Sequence, residues 1–264
     1  MPRTLVCFHA HPDDESIITA GVMAKAADEG HRVVLVIATK GELGEVEDGH
    51  LDTGEALWER RVQETHEAAA ILGVSRVEFL GYVDSGMMGE PTNDEPRCFW
   101  RADVEAAGDR LARILEEEGA DALTIYDDHG GYGHPDHIQV HRVGVRAAAQ
   151  AGIPRVFEAT FDRDYLRRLR ELAPVPDGFE PPDVEAMNLG VPGDQITTTV
   201  DVSEWVERKR AAMAAHASQI SPESFFLAMP HEAFLVAFGT EWFIRRGAPA
   251  GTAETDLFDG WDGA

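Results

Sequence analysis

Residues 4–9 (TLVCFH) form an uninterrupted apolar run that is too short for a helix and predicts a strand buried on both faces. A polar turn follows, and then an Ala-rich stretch with helical spacing through about Glu29. The unit repeats. Residues 31–38 (HRVVLVIA) are continuous and β-branched, a Gly- and Glu-rich loop comes next, and residues 55–72 have helical spacing with Gly73 as the C-cap. Residues 76–80 predict a third strand, 103–118 a third long helix and 122–126 a fourth strand. Strands alternating with helices imply right-handed crossovers. The predicted fold class is therefore α/β and Rossmann-like, a mostly parallel sheet with helices on both faces and a smaller C-terminal elaboration.

Beyond Gly152 the pattern weakens. A short charged helix precedes a Pro-rich connection over residues 173–182, which predicts an exposed loop. Residues 203–217 predict a helix with Ser203 as N-cap. Residues 233–238 and 241–245 predict a final hairpin or edge pair turning at Gly239, and the acidic tail from Glu254 is expected to be partly mobile. The whole chain, 1–264, is read as one catalytic domain: a core over 1–160, and 161–264 completing the substrate crevice.

Composition narrows the functional classes. Forty-eight Asp and Glu against 23 Lys and Arg give a formal charge of −25, which repels nucleic acid and anionic lipid. Lys25, Lys40 and Lys209 are the lysines; the remaining basic side chains are guanidinium groups. This preponderance of arginine over lysine fits a GC-rich or a salt-adapted source. The N-terminus lacks a signal-type apolar segment, and no stretch approaches the roughly 20 apolar residues of a membrane helix. Cys7 and Cys98 are too few for a disulfide framework, so a cytoplasmic location is expected. A homo-oligomer stays open.

In a parallel sheet, ligands bind beyond the carboxyl ends of the strands, so loops beginning at Ala10, Thr39, Gly81 and Asp127 should converge. His-Pro-Asp occurs in two of them, as His11-Pro12-Asp13-Asp14-Glu15 and as His134-Pro135-Asp136-His137. Catalytic zinc is commonly held by three groups drawn from His, Asp, Glu and Cys. His11 and Asp14, joined by His137 from the facing loop, supply such a set, and the prolines fix the backbone so that the side chains aim at one point. Asp13 is suited to take a proton from water acidified by a neighbouring cation. The bland alternative is that Asp13, Asp14 and Glu15 are only favourable charges at a helix start. Gly130, Gly131 and Gly133 form a turn that would also permit close backbone approach to a ligand.

Taken together these residues resemble the LmbE-like, or PIG-L-type, de-N-acetylases, whose signature pairs an HPDDE loop with a later HPDH. The resemblance extends over most of the chain, through residues 41–46, 84–87, 130–137, 214–219 and 254–257, and is nearest to the mycothiol-pathway branch that deacetylates a glucosaminyl-inositol. It implies His11, Asp14 and His137 as ligands of Zn2+, with Fe2+ as the other candidate, and Asp13 as general base and then acid. It implies that His134 supports the charged tetrahedral intermediate, that Tyr132 donates toward the oxyanion and that Asp136 orients His134. Arg61 and Asp84 align with sugar-binding positions. The substrate it implies is a small-molecule N-acyl amino sugar.

Ile18 departs from the branch, which carries polar or basic residues there. An amidase of a larger thiol conjugate, or a deacylase of an N-acylated sugar in a natural product or lipid, therefore stays open beside N-acetyl removal. Different classes are a metal-binding module without catalysis and a two-His-one-carboxylate iron oxygenase. His141, four residues after His137, is read as structural, and His9 and Cys7 as buried packing groups. His216 either approaches the site or makes contacts near the C-terminal helix; Glu42 and Glu45 line the crevice or sit in a solvated loop. The aromatic cluster Phe225, Phe226, Phe234, Phe238, Trp242 and Phe243 is read as core or a dimer surface.

Overall fold

The first strand, β1 (Thr4–His9), sends Leu5 and Cys7 into one buried cluster and Val6 and Phe8 into another. The second, β2 (Arg32–Ile37), does the same with Val33, Leu35 and Ile37 against Val34 and Val36. Alternate side chains of a strand point to opposite faces, so a strand apolar at every position must be covered twice. That requirement fixes the layers. In the computed structural model, which describes residues 1–46, 49–172 and 186–261, helices flank both faces of the sheet.

After β1 come α1 (Asp14–Ile18) and α2 (Ala20–Asp28), then β2, α3 (Leu57–Leu72), β3 (Arg76–Phe79), α4 (Val104–Glu118) and β4 (Ala122–Tyr126). A one-turn helical segment, α5 (Gly130–Gly133), leads to α6 (Pro135–Ala151), β5 (Arg155–Thr160) and α7 (Arg163–Leu172). The C-terminal part adds β6 (Thr198–Asp201), α8 (Val206–Ala215), α9 (Phe225–Ala228), α10 (His231–Phe238) and β7 (Thr240–Arg245). Among the described residues the sheet has seven strands in the order β3-β2-β1-β4-β5-β7-β6. The first five are parallel, and β7 runs antiparallel to both β5 and β6. One face packs on α2, α3 and α8 and the other on α4 and α6.

The strand order reverses direction between β1 and β4, which lie side by side with Leu5 opposite Ala122 and Cys7 opposite Thr124. A crevice opens at such a reversal, beyond the carboxyl ends of the two strands. Both His-Pro-Asp loops begin there.

Several expectations change. The Ala-rich stretch is two helices, broken at Thr19, whose hydroxyl bonds the buried His9 ring at 2.7 Å. Ser203 opens a 3-10 turn, and α8 itself is preceded by Trp205, so Ser203 is not its N-cap. Residues 233–238 are helical, not a strand. Their apolar run follows Pro230, which directly precedes α10 and whose carbonyl accepts the Phe234 amide at 2.9 Å. The partners of β7 are instead β5 and β6, neither of which the pattern marks. The described part of the tail, residues 254–261, is anchored: Leu257 is in the core, Asp256 meets Lys25 at 2.5 Å, and Arg155 donates to the Leu257 and Asp259 carbonyls at 3.0 and 2.6 Å. The Pro-rich connection over 173–182 lies outside the described residues. Among the described residues no helix is long and apolar enough to cross a membrane.

Candidate active site

The loop after β1 is shaped by its own side chains. The His11 amide donates to Asp14 Oδ2 at 2.8 Å, and the Asp13 amide donates to Glu15 Oε2 at 3.0 Å. Asp13 adopts φ 97° and ψ −31°, in the positive-φ range that favours glycine. A residue with a Cβ held in such a region costs on the order of 1–3 kcal/mol and persists only where its surroundings over-determine it.

Those surroundings include Arg61 from α3, which is 3% exposed. Its guanidinium donates to the carbonyls of Gly41 at 2.9 Å and Pro12 at 2.5 Å and lies 3.3 Å from Asp13 Oδ2. Gly41, at φ +63°, leaves room for that side chain. Burial pushes the Asp13 carboxyl up to about 6, against the opposing pull of Arg61.

Asp14 bridges the two loops. Its Oδ2 lies 3.4 Å from His11 Nδ1 and its Oδ1 lies 3.3 Å from His137 Nε2, and all three side chains are buried. His137, in the first turn of α6, stacks on Tyr126 with centroids 4.3 Å apart at 14°. Its ligand atoms, with those of His11 and His134, fall within 4.8 Å of one another; His11 also groups in this way with Asp84 and Asp136. His134 thus groups with two of the expected ligands, His11 and His137, while the third, Asp14, stands against those two at 3.4 and 3.3 Å.

His137 Nε2 is buried and has no hydrogen-bond partner. Burial would lower the His11 pKa, yet the carboxylates of Asp84, Asp136 and Asp14 outweigh it and raise the value. An orphaned imidazole nitrogen beside buried carboxylates calls for a positive charge, and a divalent cation meets that demand with a donor set of the right chemistry. The residues present fit a metal.

Asp136 meets His134 through its backbone, and its carboxylate contacts other groups. Its carboxylate accepts from the Ser85 amide at 3.0 Å and from the Ser85 hydroxyl, and approaches His11 Nε2 at 3.1 Å. The contact to His134 is made by the Asp136 backbone, whose N–H donates to His134 Nδ1 at 3.1 Å. In neutral His134 the ring proton is then on Nε2. Burial holds the imidazole neutral by lowering its pKa to about 3. Tyr132 sits with its ring centroid 5.0 Å from that of His137 and 6.2 Å from that of His134, and burial raises its phenol pKa. Asp84 is buried, 3.5 Å from His11 Nε2, and accepts the Gly86 amide at 2.9 Å.

Gly130, at φ +71°, serves packing: a Cβ there would come within 2.7 Å of His137 Cβ, so the close approach is to α6. Ile18 is partly buried against both core clusters. His141 Nδ1 contacts the Tyr126 carbonyl at 3.0 Å, a structural tie. Glu42 accepts the Asp84 amide at 3.0 Å, while Glu45 is exposed. Phe234, Trp242 and Phe243 are buried, whereas Phe225 is exposed. His9 is more than packing: its ring nitrogens contact Tyr126 Oη at 2.8 Å and Thr19 Oγ1 at 2.7 Å, and burial lowers its pKa to about 4.

Two contributors carried little sequence signal. Ser85 binds Asp136, and Asp127 Oδ1 accepts the Gly131 amide at 2.7 Å while its Oδ2 accepts the Thr160 hydroxyl at 2.6 Å, fixing the glycine turn.

Residues 6–148 match the family model described as GlcNAc-PI de-N-acetylase (PIG-L). A curated 1D-myo-inositol 2-acetamido-2-deoxy-alpha-D-glucopyranoside deacetylase of Thermomonospora curvata is 42% identical, the match covering 99% of this chain and 98% of that protein. The protein of the same name from Thermobifida fusca is 43% identical over 97% of this chain and 99% of its own length. Among solved structures, N,N'-diacetylchitobiose deacetylase from Pyrococcus horikoshii superposes with a TM-score of 0.60 at 22% identity, covering 92% of this chain and 83% of that one.

Proposed function

The chain belongs to the GlcNAc-PI de-N-acetylase family, and from that premise we propose that it is a zinc-dependent hydrolase that removes the N-acetyl group of 1D-myo-inositol 2-acetamido-2-deoxy-alpha-D-glucopyranoside. The observation that carries this reading is the buried cluster at the β1/β4 reversal, with its orphaned His137 Nε2 and the Asp13 carboxylate alongside. The substrate is taken from the two curated relatives, each more than 40% identical over nearly the whole chain.

His11, Asp14 and His137 would hold the metal, with Fe2+ suiting the same ligands. When bound, it supplies a Lewis acid that acidifies water and polarises the amide carbonyl. Asp13 takes one proton from the attacking water and returns it to the departing nitrogen, so that the acetamido group and water become a free amine and acetic acid, which releases the second water-derived proton to solvent as acetate. Neutral His134 and the protonated Tyr132 donate hydrogen bonds to the oxygen that gains charge, each worth on the order of 3 kcal/mol in such a position. Asp136 steadies His11 and, through its amide, His134. Arg61 and Asp84 border the sugar, with Arg61 also fixing the base. Residues 161–264 complete the crevice, a reading supported by His216 against Glu15 and by Gln219 donating to the Glu45 carbonyl at 3.1 Å.

The test is amine release by metal-free, zinc-loaded and anaerobically iron-loaded protein from the acetamido-glucosyl inositol, from other N-acetylglucosaminyl compounds and from larger thiol conjugates. Release from the inositol compound above the others supports the assignment; turnover confined to a thiol conjugate, or dependent on oxygen, overturns it. Asp13→Ala is expected to lower kcat by about 10²–10⁴-fold with metal retained. His137→Ala should lose the metal, as read by elemental analysis.

A further inference from the structure

Glu15 is fully buried, at 0% exposure, and does not behave as a solvated charge at a helix start. Its Oε2 accepts the Asp13 amide at 3.0 Å. Its Oε1 accepts the Ser16 hydroxyl at 2.8 Å and meets His216 Nε2 at 2.5 Å. His216 is also at 0% exposure and comes from the C-terminal end of α8, 201 residues away in sequence. Burying a carboxylate and an imidazole together is costly even with good geometry, the more so here because His216 Nδ1 is buried with no hydrogen-bond partner. A charge that served only the helix start would be better left in water.

The strained residue is Asp13, at φ 97°, and its backbone is gripped at both ends. Its carbonyl accepts the Ser16 and Ile17 amides at 3.0 and 3.2 Å, and its N–H is held by Glu15. Glutamate has the length to reach back to the amide two residues earlier while still meeting His216. We propose that Glu15 and His216 form a positioning pair that holds Asp13 in its positive-φ conformation and so keeps its carboxylate aimed beside Arg61 into the crevice. The pair touches no reacting atom. His216 anchors Glu15, Glu15 anchors the Asp13 peptide, and the C-terminal part thereby sets the aim of the base. This rests on the reading of Asp13 as the general base.

Glu15→Ala, Glu15→Gln and Asp13→Ala are compared with the parent for kcat, KM, metal content and the backbone of residue 13 in metal-free crystals. A misdirected base costs about 100-fold in kcat, so Glu15→Ala is expected to fall by that factor with KM and metal content within about twofold of the parent. Its Asp13 should leave the positive-φ region. Glu15→Gln keeps an oxygen for the Asp13 amide and should recover most of the loss with φ restored. Parental kcat in Glu15→Ala, or a loss accompanied by unchanged φ and shed metal, overturns the proposal. An active Asp13→Ala would sink the base assignment itself, whatever Glu15 does. Should Glu15→Ala fail to fold, His216→Ala against His216→Gln makes the same comparison, the glutamine amide still able to donate to Glu15.

Discussion

Glu241 on β7 accepts the Gly21 and Val22 amides at 2.8 and 2.9 Å and the Lys209 ammonium at 2.7 Å, with both charged side chains 2% exposed. One carboxylate thereby joins the first turn of α2, α8 and the antiparallel strand β7. Truncating it strands a buried ammonium, a defect that costs about 3–5 kcal/mol. Glu241→Ala should therefore lower the unfolding free energy by that amount in a urea titration, and a change below 1 kcal/mol would mean that water replaces the lost partner. Cys7 offers a different readout. Burial pushes its thiol up from 9.0 to about 12. Below pH 9 both folded and unfolded chains keep the proton; above it only the unfolded chain ionises, so this contribution to stability declines toward pH 12. Cys7→Ser would not ionise in either state. Its unfolding free energy should fall less steeply over pH 9–11 than that of the parent, and parallel curves would remove the effect.

Elements were legible where burial made their pattern simple. Strands β1, β2 and β4 are short, largely apolar runs and β3 (RVEF) alternates charged with apolar residues, while α4 is capped by Asp103, whose side chain accepts the Ala106 amide at 2.9 Å. Asp103→Ala should cost about 1 kcal/mol, lowering the urea midpoint without changing the slope. The later strands were illegible for identifiable reasons. β5 carries Glu158, a charged residue in mid-strand that faces the distant Arg246 and lies 3.7 Å from His141 Nδ1, and β6 is four residues long. α10 misled because HEAFLVAF is apolar around most of its circumference, which removes the helical period. The site divides along the same line. His11, Asp14 and His137 stand in local motifs, whereas the Glu15–His216 contact joins positions 201 apart that no local pattern connects. The Asp136 carboxylate contact to His11 and Ser85 likewise depends on how three loops meet.

Across the whole molecule, a formal charge of −25 sets up self-repulsion that pairing relieves only in places, such as Arg76 against Glu78, Glu117 and Glu118. Screening shortens from about 30 Å at 0.01 M salt to about 3 Å at 1 M. The Tm should rise over that range in a chloride titration, and a flat profile would mean that the acidic surface carries no net strain. The tail is part of the core through Leu257 and through Glu254, which meets Arg245 at 2.9 Å. A chain ending at Ala253 should accordingly melt at a lower temperature than the full chain. The span between Glu15 and His216 also bears on how the protein comes into being. Chains leave the ribosome N-terminal end first, and domains begin to fold as they emerge. The five parallel strands are complete once Thr160 is out, with both His-Pro-Asp loops in hand, but the imidazole that braces the Asp13 loop is still to be translated. A nascent chain can therefore hold His11, Asp14 and His137, the proposed metal ligands, well before its Asp13 loop is braced.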